Sequence, residues 1–297
     1  MSATTTPHGT REQAVAAAIR EISHIATLPE ITLRIIELVE DPSSTAQDLH
    51  KVIANDPALC SRILKVVNSA FYGLPGQIGS INRAIVLLGL NAVKNIAIAA
   101  SLAKLFRGGS LTPTFSAKDL WTHSIAAATA SKMVADQMKM GLSDEAFLAG
   151  LMHDIGLIVE IQADRQKLID VLGKVQPTGS GLPTADMLAV ENSIFGANHQ
   201  DFGQALCEKW KFPRTFALVT GHHHKPLELP AENRTLVSIV SVADKLAGAL
   251  EGGFRLDLMS LDADPAVLED LKITRETLST LAAALPAQLE EVSRMLA

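Results

Sequence analysis

The chain has 297 residues, of which 47% are hydrophobic and only 4% are aromatic, and its formal net charge at pH 7 is −6. A composition dominated by Ala and Leu favours helices packed through aliphatic side chains over a β-sandwich. The acidic balance, with positive residues scattered along the chain, argues against a nucleic-acid-binding face or a basic membrane-binding patch.

The sequence contains no segment typical of export or membrane insertion. Residues Met1–Thr10 are small and polar, unlike a signal peptide. The most apolar long stretch, Ala84–Phe106, is interrupted by polar side chains such as Lys94, which would be costly in lipid. Cys60 and Cys207 lie far apart within helical patterns, which is typical of buried free thiols. We therefore expect a cytoplasmic protein with no membrane contact.

The N-terminal region is predicted to be helical after a short flexible tail, residues 1–10. Helical spacing of apolar residues begins at Arg11. A second helix is expected to start at Pro29 and to stop before Pro42. Asp56 can cap a further helix whose first position is Pro57, so we interpret this pair as a capping turn.

Further signals divide the rest of this region. Asn68 and Ser69 can satisfy the end of the helix before them, and Ser80 can cap a long helical stretch that Gly89 divides in two. The Gly- and Pro-containing stretch 108–113 is the clearest internal break in the sequence.

Helical spacing resumes after this break, and no stretch shows the alternation typical of a strand. A loop rich in Pro and Gly is predicted at Gln176–Pro183. The predicted helices are about Leu120–Met140, Asp144–Gln162, Asp186–Phe195, Asp201–Lys211, Thr215–His222, Thr235–Leu250, Pro265–Leu271 and Arg275–Leu296. The predicted fold class is therefore all-α: a multi-helix bundle with an N-terminal helical lobe (11–107), a second lobe (114–250) and a C-terminal helical extension (251–297).

The histidines are distributed unevenly, since six of the nine fall between positions 123 and 224. One of them forms the pair His153-Asp154 in the middle of an apolar run. Imidazole nitrogens and carboxylate oxygens are the donors that divalent metals prefer. A single histidine on an apolar helix is usually a core residue, so the signal is in the whole set. The candidate ligands are His123, His153, Asp154, His199, the triplet His222 to His224, and Asp244.

Two stretches of the sequence resemble the HDOD domain family, which is related to the HD phosphohydrolases. The N-terminal half of that domain is similar to Leu28-Pro29, Asn55–Leu59, Val67–Gly73, Ser80–Ile85 and Leu88–Leu90. Its HD-like half is similar to Trp121–Ser124, Ala149–Gly156, Phe195–His199, Glu208–Trp210, Pro213 and His222-His223. The resemblance implies one HDOD domain over residues 11–250, with the second lobe, 114–250, as its HD-like lobe.

The resemblance also implies roles for the candidate ligands. In the HD superfamily the ligands follow the order His, His-Asp, Asp, which match His123, the pair His153-Asp154, and Asp244. The additional histidines of a centre with two or more ions match His199, His222 and His223. His224 is expected to lie in a loop rather than to bind metal, and His8, His24 and His50 receive no role. The expected cofactor is one or two divalent ions of Fe, Mn, Zn or Mg, which a carboxylate can bridge.

The chain departs from the catalytic branch of the superfamily in two places. Leu157 stands where that branch has a lysine, and Lys225–Pro230 does not reproduce its Gly-Tyr-Pro signature. Cyclic di-GMP hydrolysis is therefore not expected, although the ligand set is nearly complete. The sequence leaves open whether this set binds metal or is a framework inherited from an ancestor that did.

Two functions remain to be separated. The leading hypothesis is a bacterial signal-transduction protein that acts mainly by binding a signalling protein partner. The sequence shows no receiver, cyclase or kinase segment, so we expect its signal to arrive through binding. The alternative is a metal-dependent phosphohydrolase that acts on a nucleotide or another phosphorylated small molecule. Direct binding of nucleic acid is the weakest interpretation, because no basic surface with interleaved aromatic residues is visible.

Overall fold

Helical structure extends over most of the chain, which confirms the predicted all-α class. The structure is a computed structural model that describes residues 10–22, 30–41, 43–69, 72–106, 109–112, 115–179, 181–250 and 254–296. The predicted flexible tail, apart from Thr10, lies outside these residues. So do Leu28, Pro29, Ala70 and Phe71 of the stretches that carry the family resemblance.

The described residues of the first region form six helices. They are α1 (Arg11–Ile22), α2 (Glu30–Glu40), α3 (Ala46–Ala54), α4 (Pro57–Val67), α5 (Ile81–Leu88) and α6 (Leu90–Leu102). Asp56 caps α4 by accepting a hydrogen bond from the Leu59 amide at 2.9 Å. Ser80 caps α5, and Gly89, with φ at +91°, separates α5 from α6. These predicted boundaries are confirmed.

Asn68 closes the loop that follows α4. Its side-chain oxygen accepts from the Ile78 amide at 2.6 Å, and its side-chain nitrogen donates to the carbonyls of Ile78 and Leu64. The Ser69 hydroxyl donates to the Val66 carbonyl at 2.7 Å. The prediction that these two polar side chains satisfy the end of the helix is confirmed.

A short antiparallel hairpin follows this region, so the expectation that the chain contains no strand is wrong. It pairs β1 (Ser110–Thr112) with β2 (Phe115–Ser116). The buried ring of Phe115 packs edge-on against Phe254, 5.1 Å between ring centroids, and this contact holds the hairpin on the core. Strands of two or three residues are too short to show an alternating pattern in the sequence.

Eight helices form the described part of residues 114–250, the predicted HD-like lobe. They are α7 (Ala117–Met138), α8 (Ser143–Met152), α9 (Ile155–Ala163), α10 (Arg165–Lys174), α11 (Met187–Phe195), α12 (His199–Lys209), α13 (Arg214–His222) and α14 (Ala231–Gly248). A 3₁₀ turn, Pro226–Glu228, precedes α14.

The single helix predicted over Asp144–Gln162 is wrong, because α8 and α9 are separated by a turn at His153-Asp154. Both helices are buried, so the apolar run continues through the turn and conceals it. Helix α10 was not predicted at all. It begins after Asp164, which accepts a hydrogen bond from the Lys167 amide, and its buried residues follow helical spacing.

The C-terminal extension forms α15 (Pro265–Leu271) and α16 (Arg275–Leu296), with the predicted boundaries. Helix α16 packs against α7 in the HD-like lobe and against α4 in the first region, so it bridges the two.

Helix α1, which the sequence groups with the N-terminal lobe, packs instead against α9 and α12 of the HD-like lobe. An ion pair between Arg11 and Asp201 supports this packing.

The most apolar stretches of the chain are core helices. Helix α6 is buried along nearly its whole length, and the ammonium group of its Lys94 donates to the Leu38 carbonyl and to Ser44 Oγ. Among the described residues, one stretch, Ser143–Ala163, has the length and composition to cross a membrane. Most of that stretch, which covers α8 and α9, is buried inside the protein.

Candidate metal centre

Nitrogen and oxygen donors from several elements of the HD-like lobe meet around Asp154. This residue lies in the turn between α8 and α9, next to His153. The other donors are His123 in α7, His199 at the start of α12, His223 and His224 after α13, Asp244 in α14 and Asp257 after α14.

Two glycines allow the helices to approach this turn closely. A Cβ at Gly156 would overlap the carbonyl oxygen of His199, so α9 and α12 touch there through their backbones. A Cβ at Gly150 would lie 2.5 Å from Ser131 Oγ, at the contact between α8 and α7. These glycines therefore bring α7 and α12 up to the turn that holds Asp154.

One oxygen of Asp154 faces a group that we call half-site 1, formed by His123, His153 and Asp244. His123 Nε2 lies 3.0 Å from Asp244 Oδ1 and 3.3 Å from His153 Nε2. His153 Nε2 lies 3.2 Å from Asp154 Oδ2. None of these four side chains is more than 1% exposed.

The other oxygen of Asp154 faces half-site 2, formed by His199, His223, His224 and Asp257. Asp154 Oδ1 lies 3.4 Å from His223 Nε2 and 3.8 Å from His199 Nε2. His224 Nε2 lies 3.1 Å from His199 Nε2 and 3.5 Å from Asp257 Oδ2. A single carboxylate thus presents one oxygen to each half of the cluster.

Some of the donor–donor distances match metal coordination, whereas others are longer, such as the 3.8 Å between His199 Nε2 and Asp154 Oδ1. Two donors bound about 2.1 Å from one ion at tetrahedral or octahedral angles lie about 3.0–3.4 Å apart. In half-site 1 the His123–Asp244 and His123–His153 distances of 3.0 and 3.3 Å fall in this range. In half-site 2 the 3.1 Å between the Nε2 atoms of His199 and His224 also does.

The cluster contains buried polar atoms that the described residues do not satisfy. Both oxygens of Asp154, both oxygens of Asp257 and Nε2 of His223 have no hydrogen-bond partner among those residues. A buried carboxylate without a partner is costly by several kcal/mol or more, and a cation between such groups removes that cost. The residues present therefore fit divalent ions.

Hydrogen bonds on the outer ring nitrogens orient three of the histidines. His153 Nδ1 donates to the Gly150 carbonyl at 2.7 Å, and His223 Nδ1 donates to the Val219 carbonyl at 3.2 Å. Because a carbonyl oxygen can only accept, the neutral form of each of these two imidazoles has its free electron pair on Nε2, directed at the cluster. The third histidine, His199, makes the corresponding contact with the Glu191 carboxylate, which lies 2.9 Å from Nδ1.

Burial and neighbouring charges shift the pKa values of this cluster, in opposite directions for Asp154 and His199 and in the same direction for Glu160. Burial would raise the pKa of Asp154, but the adjacent histidines, His153 foremost, hold that pKa well below its usual value. Burial would lower the pKa of His199, but the Glu191 carboxylate raises it to about 9. Burial, with the charges of Glu191 and Asp154, raises the pKa of Glu160 well above its usual value. Metal binding at such a cluster therefore has to displace protons from imidazoles.

The structure brings six of the seven predicted ligands together: His123, His153, Asp154, His199, His223 and Asp244. The seventh, His222, lies outside the cluster and is only half-buried. His224 lies in the turn after α13, in agreement with the loop that we expected, but its Nε2 faces the cluster, which we did not expect. Helical register explains why His223 faces the cluster and His222 does not. His223 follows the buried Val219 by one turn, whereas His222 follows the less buried Leu218.

Sequence reasoning missed two other residues at the cluster. Glu191 in α11 orients His199, and no spacing relative to a histidine motif points to it. Asp257 lies in the C-terminal extension, where the sequence shows only an acidic residue between two leucines. Burial, with the charges of Asp154 and Asp244, raises the pKa of Asp257 to about 7.

The cluster is almost closed to solvent. His224 is its most exposed described member, with 8% of its side chain accessible. Leu157, at the position of the lysine of the catalytic branch, is fully buried in an apolar cluster. A cavity of about 460 Å³ lies outside His224, and Lys225 and Lys245 are the described cations that line it.

Comparison with known proteins identifies the family of the chain. The sequence profile of the HDOD domain family matches residues 25–226. An uncharacterised protein of Treponema pallidum (strain Nichols) is 26% identical over 248 residues, which cover 82% of this chain and 46% of the relative. The chain therefore spans about half the length of that curated relative.

Solved structures share the fold over nearly the whole chain. A protein of Marinobacter aquaeolei VT8, provisionally named a signal transduction protein, gives a TM-score of 0.74 at 21% identity, covering 99% of this chain and 67% of its own. A protein of Shewanella amazonensis SB2B, provisionally named a phosphohydrolase, gives a TM-score of 0.71 at 21% identity. The match covers 95% of this chain and 98% of that protein. An HDOD domain protein of unknown function from Geobacter sulfurreducens gives a TM-score of 0.68 at 20% identity. The match covers 93% of this chain and 98% of that protein. At such identities these structures show a common fold and leave the activity open.

The profile match covers more than half of the chain and includes the turn that holds His153-Asp154 as well as His199, His223 and His224. Two further donors, Asp244 and Asp257, lie beyond its end. The helical fold of the solved relatives agrees with this assignment. The chain belongs to the HDOD domain family.

Proposed function

We propose that the protein is a bacterial regulatory protein that acts by binding a signalling partner, and that a divalent metal centre organises its HD-like lobe. The observation that supports this is the burial of the cluster, because the side chains of Asp154, His153 and His223 are 0% exposed. Structural metal sites are closed by protein ligands, whereas catalytic sites keep a position open for water or substrate. The names of solved relatives include signal transduction, which agrees with a regulatory role.

The donors suffice for two ions that share Asp154. One ion would be held by His123, His153, Asp154 and Asp244, and the other by Asp154, His199, His223 and His224. Sites rich in imidazole favour Fe or Zn, with Mn next and Mg least suited. An ion with an open position would polarise a phosphoester and activate water, but the side chains of His153, Asp154 and His223 are closed to solvent.

A phosphohydrolase acting on a nucleotide or another phosphoester is the second candidate, and one observation favours it. The cavity outside His224 is large enough for a small ligand, and Lys225 and Lys245 on its lining could pair with a phosphate. Acidic residues, Glu228, Asp262 and Asp264, line the same cavity and oppose an anionic ligand. The buried Leu157 also removes the cation that the catalytic branch of the superfamily places near the metal.

The metal centre is tested by elemental analysis of protein purified without chelator. We expect about two transition-metal ions per chain, and their loss in the His153→Ala/Asp154→Ala double variant. Removal of the ions by a chelator should lower the melting temperature of the wild type and leave that of the double variant unchanged. Wild-type protein that takes up no transition metal, even when Fe or Zn is added back, would contradict the centre.

The mode of action is tested with a Lys225→Ala/Lys245→Ala double variant, which removes the cavity cations and keeps every proposed ligand. We expect this variant to restore regulation in a deletion strain as well as the wild type does. We also expect no turnover by the metal-loaded wild type across a panel of nucleotides and phosphoesters. Turnover by the wild type that the double variant loses would establish the phosphohydrolase instead.

A further inference from the structure

We infer that Asp257 is a ligand of the ion at half-site 2, and that this ion fixes the segment 254–262 of the C-terminal extension to the HD-like lobe. The inference rests on the metal centre proposed above. It adds a donor that lies outside both the family match, which ends at residue 226, and the His, His-Asp, Asp series that ends at Asp244.

The position of Asp257 is that of a ligand whose partner is a cation. Its side chain is 0% exposed, and neither of its oxygens has a hydrogen-bond partner among the described residues. Oδ2 lies 3.5 Å from His224 Nε2. A carboxylate oxygen of Asp257 and the donor atoms of Asp154, His199 and His223 lie within 4.8 Å of one another. Donor atoms from three separate parts of the fold therefore lie in the same small volume as the Asp257 carboxylate.

The residues around Asp257 carry it into the protein without satisfying it. Phe254 packs against Phe115, and its ring centroid lies 6.1 Å from that of His123. Leu256 and Leu258 are 6% and 0% exposed. Apolar neighbours cannot donate hydrogen bonds, so the segment buries a carboxylate whose natural partner is a positive charge in the cluster.

The charge balance of the cluster agrees with a role for this carboxylate. Imidazoles bind metal in the neutral form. Asp154, Asp244, Asp257 and Glu191 then supply four negative charges around the histidines, which two divalent ions neutralise. Without Asp257 the same two ions would carry an excess positive charge in a buried site.

Ligation by Asp257 would link the metal to distant parts of the fold. The segment 254–262 leads into α15 and α16, and α16 packs against both α7 and α4. An ion at half-site 2 therefore holds the chain at the start of the element that bridges the two regions. Loss of that ion would release this segment while half-site 1 remains filled.

The test is a calorimetric titration of the metal-free, full-length chain with Zn²⁺. We expect two ions in the wild type and in Asp262→Asn, a control in which an exposed carboxylate of the same extension is changed. In Asp257→Asn, which keeps the shape of the side chain, the affinity for one ion should fall at least about tenfold while the other is unchanged. Two ions bound by Asp257→Asn with wild-type affinities would overturn the inference and leave the metal centre intact.

A second measurement needs no variant. Amide hydrogen exchange of residues 254–262 in the wild type should slow on binding of the second equivalent of Zn²⁺. In Asp257→Asn the same addition should leave their exchange unchanged. Exchange in the wild type that does not respond to the second ion would overturn the inference. Wild-type protein that binds no Zn²⁺ would overturn the metal centre itself, and the role of Asp257 with it.

Discussion

The two halves of the cluster are built differently. The donors of half-site 1 come from the long core helices α7 and α14 and from the end of α8, so their positions depend on helix packing. The donors of half-site 2 come from the first residue of α12, from the two residues after α13 and from a non-helical segment. Packing of regular helices thus defines one half, and the ends of helices define the other.

This difference indicates which half of the buried cluster can rearrange more easily. Helix interiors are rigid, and His123 and Asp244 lie on α7 and α14, which pack against each other. Helix ends and connecting segments open more easily. We therefore expect half-site 1 to be the more robust half, and half-site 2 to respond to changes elsewhere in the molecule.

The largest expected effect comes from Asp154→Ala, which removes the residue common to both halves. We expect the number of tightly bound ions to fall from two to none, because each half loses an oxygen donor. Elemental analysis after gel filtration measures this, with Asp170→Ala on the exposed face of α10 as the control. A variant that keeps one ion at wild-type affinity would show that one half does not need Asp154.

Gly156→Ala should affect half-site 2 more than half-site 1. The added methyl group overlaps the backbone of His199, so α12 must move away from α9 and take a donor of half-site 2 with it. We expect loss of one ion and a decrease of about 1–3 kcal/mol in the free energy of unfolding, measured in urea. Gly173→Ala in α10, where the Cβ meets open space, is the control and should be as stable as the wild type or more so. Equal stability of the two variants would contradict the close packing of α9 and α12.

Substitutions in the triplet His222 to His224 test which of these histidines contribute to half-site 2. We expect His224→Ala to weaken the binding of one ion at least about tenfold, because its Nε2 is a donor facing His199. His222→Ala should bind both ions as the wild type does, since His222 lies outside the cluster. Zn²⁺ titration of both variants measures the difference. The opposite result would restore the ligand set that the sequence predicted.

The smallest of the four effects is expected for Glu191→Gln. The amide keeps an oxygen for His199 Nδ1 but removes the negative charge that makes the imidazole a stronger donor. We expect the affinity of half-site 2 to fall about tenfold and that of half-site 1 to stay unchanged. Glu208→Gln, on the exposed face of α12, is the matched control. Equal loss in both halves would show that Glu191 acts on the whole cluster.

The predicted ligands include every residue at half-site 1 but only His199 and His223 of half-site 2. His123, His153, Asp154 and Asp244 could be assigned because a family resemblance fixes their order and each lies on or beside a helix with clear apolar spacing. For the triplet, the resemblance pointed to His222 and His223. The end of α13 turns His223 and His224 inward, and the buried residues one turn earlier would have indicated this.

Other features had no signal in the sequence. The turn at His153-Asp154 is hidden because buried helices on both sides give one continuous apolar run. Asp257 reaches the cluster through the tertiary packing of Phe254 and Leu258, which no local pattern expresses. Helix caps, in contrast, are local, and Asp56 and Ser80 could be assigned from neighbouring residues alone.

The two oxygens of Asp154 have a consequence for how the protein would respond to metal supply. Oδ2 faces His153 in half-site 1 and Oδ1 faces His223 in half-site 2, so each half would use its own oxygen of the shared side chain. An ion could then leave half-site 2 without taking a donor atom from half-site 1. As metal becomes scarce, the lobe would therefore lose its ions in two separate steps, with the ion of half-site 2 lost first.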